Sequence, residues 1–309
     1  APRDDEAVLP TSALAAGMAA RDYQEAICYA FVDPRLLQTW QLDANAVLLA
    51  NPLSNDLAVM RTSLLPGLVE ALKRNRNRQQ ARVRLFESGV VFAKQGESAP
   101  VETTMLAAVA CGNAHAEQWG EPKRTLDFFD IKGDLESLID LSGAPEAWSF
   151  DATDLPTWLH PGRSARVLRD GVPVGMIGAL HPALQRQLDV PEAYALEIEL
   201  QALRRRTVPV ARALPHFPSL RRDIAIEVDE AVEWARIASA LRSGLPKILN
   251  ELVLFDCFRG PGLSADRKSL AIGLILQGGS RTLTDEDADQ SVADAVSLLE
   301  REFGARLRG

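Results

Sequence analysis

From Asp223 to Val228 every second residue is β-branched and apolar (Ile224, Ile226, Val228), and from Lys268 to Gln277 the rhythm returns in Leu270, Ile272, Leu274 and Leu276. Period two places each set on one face of a strand. Two helical stripes interleave with these strands at three- and four-residue spacing: Trp234, Ile237, Leu241 and Leu245, then Val292, Val296, Leu299 and Phe303. A further strand reads from Leu249 to Phe258, followed by a turn at Gly260–Gly262. Thr284 with Asp287 opens the last helix as a capping box, and residues 305–308 remain for a short closing strand. The order is βαββαβ, so two helices cover one face of a sheet and the other face stays open.

That order predicts a ferredoxin-like domain. Its open face begins with charge, in Phe217-Pro218-Ser219-Leu220-Arg221-Arg222-Asp223, and continues through Ala225, Glu227, Ala271, Gly273 and Ile275. Small residues there admit a flat ligand. The aromatic motif by which RRM domains stack single-stranded RNA is absent. Residues 215–309 hold 12 Lys and Arg against 15 Asp and Glu. These features leave an RNA binder and a small-ligand regulatory domain equally open.

The N-terminal part reads as strands interleaved irregularly with helices, an α+β domain on a mostly antiparallel sheet. A short helix ends near residue 22, and Tyr23 to Val32 is a strand candidate. Pro34 opens a helix through Trp40, and a turn at Asn51-Pro52-Leu53-Ser54-Asn55-Asp56 leads into a helix through about Gln80. Arg82 to Phe92 and Thr103 to Cys111 are strands, with Gly89 expected at a bulge or bend. The helix from Asp127 buries Phe128, Ile131, Leu135, Leu138 and Ile139 and turns Lys132, Asp134, Glu136 and Asp140 outward. Its acids Asp127, Asp130 and Asp134 fit the helix dipole better than a metal site. Lys73, Arg74, Arg76, Arg78, Arg82 and Arg84 read as a solvated charged face or as contacts to RNA phosphate or to an acidic partner surface. Gly171, Gly175 and Gly178 lie within strands rather than at a strand-to-helix turn, so a phosphate-binding loop is excluded and close backbone approach is expected. From about Leu203 to Leu214 the chain reads as a linker, and the limits set are 1–205, 206–214 and 215–309.

A net charge of −8 argues against bulk electrostatic attraction to nucleic acid, DNA included. Cys28, Cys111 and Cys257, and His115, His160, His181 and His216, are too scattered for a disulfide framework or a zinc site. No apolar run reaches membrane length and no signal peptide is evident, so a cytoplasmic location is expected, with no membrane partner. The chain starts at Ala1 without methionine, as a fragment would.

Tyr23 to Val32, Asn51 to Leu68, Leu85-Phe86-Glu87-Ser88-Gly89, Asp127 to Glu136 and Leu159 to Ala165 closely resemble the catalytic-like module of the bacterial phenylalanyl-tRNA synthetase β-subunit family. Phe217 to Val228, Leu254-Phe255-Asp256, Lys268-Ser269-Leu270-Ala271, Arg281-Thr282-Leu283-Thr284-Asp285-Glu286 and Leu307-Arg308 resemble that family's ferredoxin-fold anticodon-binding domain. The resemblance implies a class II synthetase-like antiparallel sheet with flanking helices, followed by the βαββαβ domain, and makes the chain the C-terminal portion of a longer subunit. The editing domain and magnesium ligands expected upstream are missing, so neither an editing activity nor a metal site is expected.

The resemblance further implies that residues 1–205 do not catalyse but scaffold a catalytic α subunit in an (αβ)2 heterotetramer. ATP and Mg2+ belong to the whole enzyme, and no cofactor belongs to this chain. Arg84-Leu85-Phe86-Glu87 faintly echoes the arginine that class II enzymes place on the α-phosphate of ATP, and a counterpart of their second phosphate-binding arginine is absent. Residues 215–309 are expected to bind the anticodon of phenylalanine tRNA through Ser219, Arg221, Arg222, Asp223, Lys268 and Arg281, cations for phosphate and polar groups for base edges. Ion pairing within the protein competes for Arg222 and Asp223, and Lys268 competes as an edge cap. A stand-alone oligomeric protein sensing a small ligand through the ferredoxin-like domain is the alternative.

Overall fold

The computed structural model describes residues 6–96, 99–211, 216–245, 248–279 and 281–308, and the chain divides between Val210 and Ala211 into two units. The first carries helices α1 (Thr11–Ala19), α2 (Pro34–Trp40), α3 (Leu65–Asn77), α4 (Phe128–Asp140), α5 (Pro182–Leu188) and α6 (Leu200–Arg204). Its strands are β1 (Gln24–Glu25), β2 (Phe31–Val32), β3 (Val59–Met60), β4 (Val83–Ala93), β5 (Val101–Cys111), β6 (Trp148–Asp151), β7 (Leu159–Arg169), β8 (Val172–Leu180) and β9 (Ala193–Glu199). Seven of them form a sheet in the order β1-β4-β5-β9-β8-β7-β6, antiparallel except where β1 runs parallel to β4.

Strand β5 is apolar along its second half because it is covered on both sides. Leu106, Ala108 and Ala110 share a core with Leu14 and Met18 of α1, Leu135 and Leu138 of α4 and Leu203 of α6. Ala107, Val109 and Cys111 share the opposite core with Leu68 and Leu72 of α3 and Leu184 and Leu188 of α5. The helices start where their caps dictate: Asp33 accepts from Arg35 N ahead of Pro34, and Asp127 and Asp130 exchange side-chain and backbone bonds in a capping box.

Several expectations are corrected here. Tyr23 to Val32 is not one strand: β1 joins the large sheet, whereas β2 leaves it to pair with β3. Tyr23 turns inward onto Asp134, and Ile27 and Tyr29 in the interval are exposed. No helix follows Asp56 directly, because residues 55–57 make one 3-10 turn and Val59–Met60 is claimed by β2. The helix begins at Leu65, with Pro66 in its first turn. Gly89 sits in an unbroken β4–β5 register, and a Cβ there would stand 2.3 Å from Arg61 Nη2, so it makes room for that guanidinium rather than a bulge. Asp134 faces inward. The expected linker is anchored at its start: Leu203 is fully buried, Arg205 bridges Val8, and Thr207 N–H donates to Ser142 O at 2.8 Å. Residues 212–214 of that linker, and Pro215, lie outside the described residues. Gly175 and Gly178 do mark close approach, at 2.2 Å from Glu197 O and 2.1 Å from Ser164 Cβ for an added Cβ.

The second unit has β10 (Leu220–Asp229), α7 (Trp234–Gly244), β11 (Leu249–Phe258), β12 (Arg267–Leu276), α8 (Asp285–Phe303) and β13 (Arg306–Leu307). The sheet runs β11-β12-β10-β13, all antiparallel. Ile224, Ile226, Val228, Leu270, Ile272, Leu274 and Leu276 bury one face against Ile237 and Leu241 of α7 and Ala295 and Leu299 of α8. Thr284 and Asp287 close the N-terminal capping box of α8, and Gly304 ends it at φ 58°.

Candidate nucleic-acid interface

The open face of the smaller unit owes its surface to an irregular strand. In β11, Leu254 pairs with Ile272 and Asp256 with Ala271, so Phe255 is an extra residue, and a second irregularity lies between Leu249 and Glu251. Simple alternation from Leu254 would turn Asp256 and Phe258 toward the helices. The bulge reverses the parity beyond it. Both Phe255 and Phe258 consequently stand on the open face, 49% and 36% exposed.

Each ring carries an arginine. Arg221 lies over Phe255 with its guanidinium carbon 5.2 Å from the ring centre, and Arg308 lies over Phe258 at 5.3 Å. Arg308 is brought there by β13, its N–H donating to Ala225 O at 2.8 Å. Ala225, Asp256, Phe258, Ser269, Ala271 and Arg308 together line an open hollow of about 450 Å³. Small residues form its floor, an aromatic ring and a guanidinium its stacking wall, and a hydroxyl and a carboxylate its polar edge. A flat heterocycle with a neighbouring anionic group is the ligand such a set accommodates. Sequence reading missed Asp256 and Phe258 because a bulge without glycine leaves no signal in the alternation, and it missed Ser269 and Arg308 because only the fold brings them beside that ring.

The six residues expected to meet RNA separate. Ser219, Arg221 and Asp223 lie exposed at the start of β10, the last two as an ion pair of 2.7 Å. Arg222 alternates to the other face, where Nε reaches Asp289 at 3.2 Å and Nη2 reaches Asp285, both on α8. Lys268 is buried within β12 at the end of the sheet far from Arg221, its Nζ donating to Glu230 O at 2.8 Å. Arg281 holds Asp287 through two bonds of 2.6 and 2.7 Å. That partner, with the Thr284 N–H and hydroxyl, keeps the Asp287 carboxyl well below the usual carboxylate range. Arg222, Lys268 and Arg281 thus stabilise the fold around the face rather than lining it.

In the larger unit the expected charged face divides: Arg74 and Arg78 stay exposed, whereas Lys73, Arg76, Arg82 and Arg84 engage the protein itself. Lys73 Nζ donates to Leu188 O, Arg76 to Gln80 O and Ala81 O, and Arg82 to Asn113 O and Ala114 O. Arg84 is buried, with Nη1 on Asp134 Oδ2 at 2.7 Å and Nη2 on Ala114 O at 3.1 Å. Tyr23 completes that knot with its hydroxyl 2.9 Å from Asp134, and burial followed by the Asp134 charge pushes its pKa far up. A second knot joins Arg61 to Glu87 at 2.6 Å, and nearby Glu197 accepts from Leu64 N and Ser63 Oγ at 2.7 and 2.9 Å. Burial raises the Glu197 pKa to about 7 in spite of those two bonds.

Fold and face together define a two-unit α+β protein, a helix-flanked, largely antiparallel sheet followed by a ferredoxin-like unit with a stacking surface. Residues 3–200 match the model of the phenylalanyl tRNA synthetase beta chain CLM domain, and residues 215–308 that of the ferredoxin-fold anticodon binding domain. The chain belongs to the phenylalanyl-tRNA synthetase β-chain family. It is 51% identical over 294 residues to the phenylalanine–tRNA ligase β subunit of Xanthomonas campestris pv. campestris strain 8004, a match covering 94% of this chain and 37% of that one. It is 49% identical over 292 residues to the same subunit of Xylella fastidiosa strain Temecula1, covering 94% and 36%. The chain therefore spans little more than a third of the length of these relatives. A pyrrolysyl tRNA synthetase, Desulfitobacterium hafniense PylSc, overlays 62% of this chain and 64% of its own at a TM-score of 0.46 and 14% identity. The two family models and the two β-subunit relatives do not favour the reading of the smaller unit as a small-ligand sensor.

Proposed function

We propose that this chain is the C-terminal portion of a phenylalanine–tRNA ligase β subunit, whose smaller unit reads the anticodon of phenylalanine tRNA and whose larger unit scaffolds the catalytic α subunit. The hollow at Phe258 and Arg308 carries the reading. A nucleobase lies flat on the Phe258 ring, Arg308 meets its phosphate, and Ser269 and Asp256 address its edge, the carboxylate selecting bases that present N–H donors. Arg221, Asp223 and Ser219 flank this site. Arg222, Lys268 and Arg281 are assigned to the fold instead.

For the larger unit the support is the state of Arg84. The residue that echoes a phosphate-holding arginine is committed to Asp134 and Ala114 O and buried with them. A group so engaged cannot meet ATP without breaking a buried ion pair, which favours scaffolding over catalysis in residues 1–205. Adenylation with ATP and Mg2+ then falls to the α subunit, in a cytoplasmic (αβ)2 assembly.

The test is binding of this chain, alone and with a phenylalanine–tRNA ligase α subunit, to phenylalanine tRNA and to an anticodon-substituted copy at one salt concentration. Selective loss on anticodon substitution is expected, together with co-elution of the two chains in size-exclusion chromatography. Equal binding of both RNAs overturns the anticodon reading, and failure to co-elute overturns the scaffold.

A further inference from the structure

The Arg221–Phe255 pair stands apart from the hollow and has its own construction. Phe255 is the residue that the β11 register leaves out, and its ring is carried on the open face with half its surface exposed. Over it lies the Arg221 guanidinium, fastened by Asp223 at 2.7 Å. Beneath that ion pair is Gly273 of β12. A Cβ there would stand 3.2 Å from Arg221 Nε, from Arg221 Nη2 and from Asp223 Oδ1, so the missing side chain is what lets the pair lie flat against the strand. A cation and a ring held in this way form a rigid plate, the kind of surface on which a base stacks at little ordering cost.

We propose that this plate is a second nucleotide position, taking the base adjacent to the one in the Phe258 hollow. The inference presupposes that the sheet takes the anticodon loop. The hollow is floored by Ser269 and Ala271 and the plate by Gly273, two residues further along β12, or about 7 Å. That separation is about twice the distance between stacked bases. The two bases therefore unstack from one another and rest each on its own phenylalanine, as consecutive bases do on an RRM sheet. Stacking is indifferent to base identity, so this position requires a base without choosing which.

The experiment titrates the 309-residue chain with anticodon stem-loops of phenylalanine tRNA in which each loop nucleotide in turn is made abasic or replaced by another base. Phe255→Ala should weaken binding of the intact stem-loop roughly five- to a hundredfold, the range for loss of one base–aromatic stack. One abasic position should make Phe255→Ala silent, its immediate neighbour should make Phe258→Ala silent, and base replacement at the first should change little. Deleting Phe255 should act like Phe255→Ala, because Leu254, Asp256 and Cys257 then pair one-to-one with Ile272, Ala271 and Leu270. Melting curves of both variants should match wild type, since an exposed ring is removed. The proposal is overturned if Phe255→Ala leaves affinity unchanged, if both variants are silenced by the same abasic position, or if the two positions are not neighbours. No binding by the wild-type chain at any loop sequence would instead bring down the anticodon reading on which it stands.

Discussion

Replacing Asp134 by alanine should destabilise the larger unit by about 3–5 kcal/mol, the range for leaving one partner of a buried ion pair uncompensated. The side chains of Asp134 and Arg84 are 9% and 6% exposed, and Asp134 also accepts from Tyr23. Without the carboxylate, Arg84 keeps Ala114 O, the Tyr23 side chain and the charge of Asp130 on the same helix α4, and its Nε already lacks a hydrogen-bond partner among the described residues. Arg21, also on Asp134, is 39% exposed and returns to water at little cost. For a unit of 210 residues the unfolding entropy is about 0.44 kcal/mol/K. The loss then corresponds to roughly 7–11 °C in Tm by scanning calorimetry. The double variant Arg84→Met, Asp134→Asn should recover most of it, since the charge is gone and Tyr23 retains an acceptor. A drop below about 2 °C for Asp134→Ala would refute the reasoning. It would mean that Arg84 finds another partner freely, and would return it to consideration as a phosphate ligand.

Glu197 sets a pH dependence of opposite sign to that of an ordinary paired carboxylate. Its folded pKa of about 7 exceeds the unfolded 4.5, so the folded unit holds the extra proton and stability falls as pH rises through that window, by at most about 3 kcal/mol and less for its partial exposure. Glu197→Gln should flatten the Tm-against-pH curve between these values; an unaltered curve would show that Glu197 is ionised throughout. Arg222→Ala breaks half-exposed pairs with Asp285 and Asp289, so it should cost under about 1 kcal/mol in urea unfolding and leave stem-loop affinity within twofold. A tenfold loss of affinity would put Arg222 on the RNA. Thr284→Ala removes one partner of the α8 capping box and should cost about 1 kcal/mol, again without effect on RNA binding.

How far the sequence could be read varied with the kind of signal. Alternation and helical stripes carry the smaller unit almost entirely, because each of its elements has one buried face and one free one, the condition under which periodicity reports burial. In the larger unit β5 is buried twice, and only its length and apolarity remain as clues. Glycine misled at residue 89, where it accommodates Arg61, while the bulge that shapes the candidate site occurs at Phe255, a residue with no conformational licence to advertise it. Charge misled in a related way. Arg221 and Arg222 are adjacent and alike in the sequence, yet the pleat sends one to the open face and the other to the acids of α8. What a side chain meets across the fold, rather than what type it is, decides whether it is free for a ligand.

The same partition settles how steeply RNA binding should depend on salt. The smaller unit is acidic by count, but its acids are not spread evenly. Asp285, Asp287 and Asp289 of α8 engage Arg222 and Arg281 away from the open face, which carries Arg221, Arg306 and Arg308 beside the acids Asp223, Glu227 and Asp256, Arg306 standing opposite Glu227 in the β10–β13 ladder. Two or three cations therefore face the backbone of a bound loop. Each phosphate neutralised on single-stranded RNA contributes about −0.7 to the slope of log K against log salt. The expected slope for an anticodon stem-loop is then roughly −1.4 to −2.1, or a seven- to twentyfold loss between 50 and 200 mM salt. Most of the affinity must come from stacking on Phe255 and Phe258, which salt does not screen. Arg308→Ala should lower the slope by about one contact, whereas Phe258→Ala should weaken binding and leave the slope unchanged. A slope of −4 or steeper for the wild-type chain would contradict this account, because the open face does not hold enough cations among the described residues to produce it.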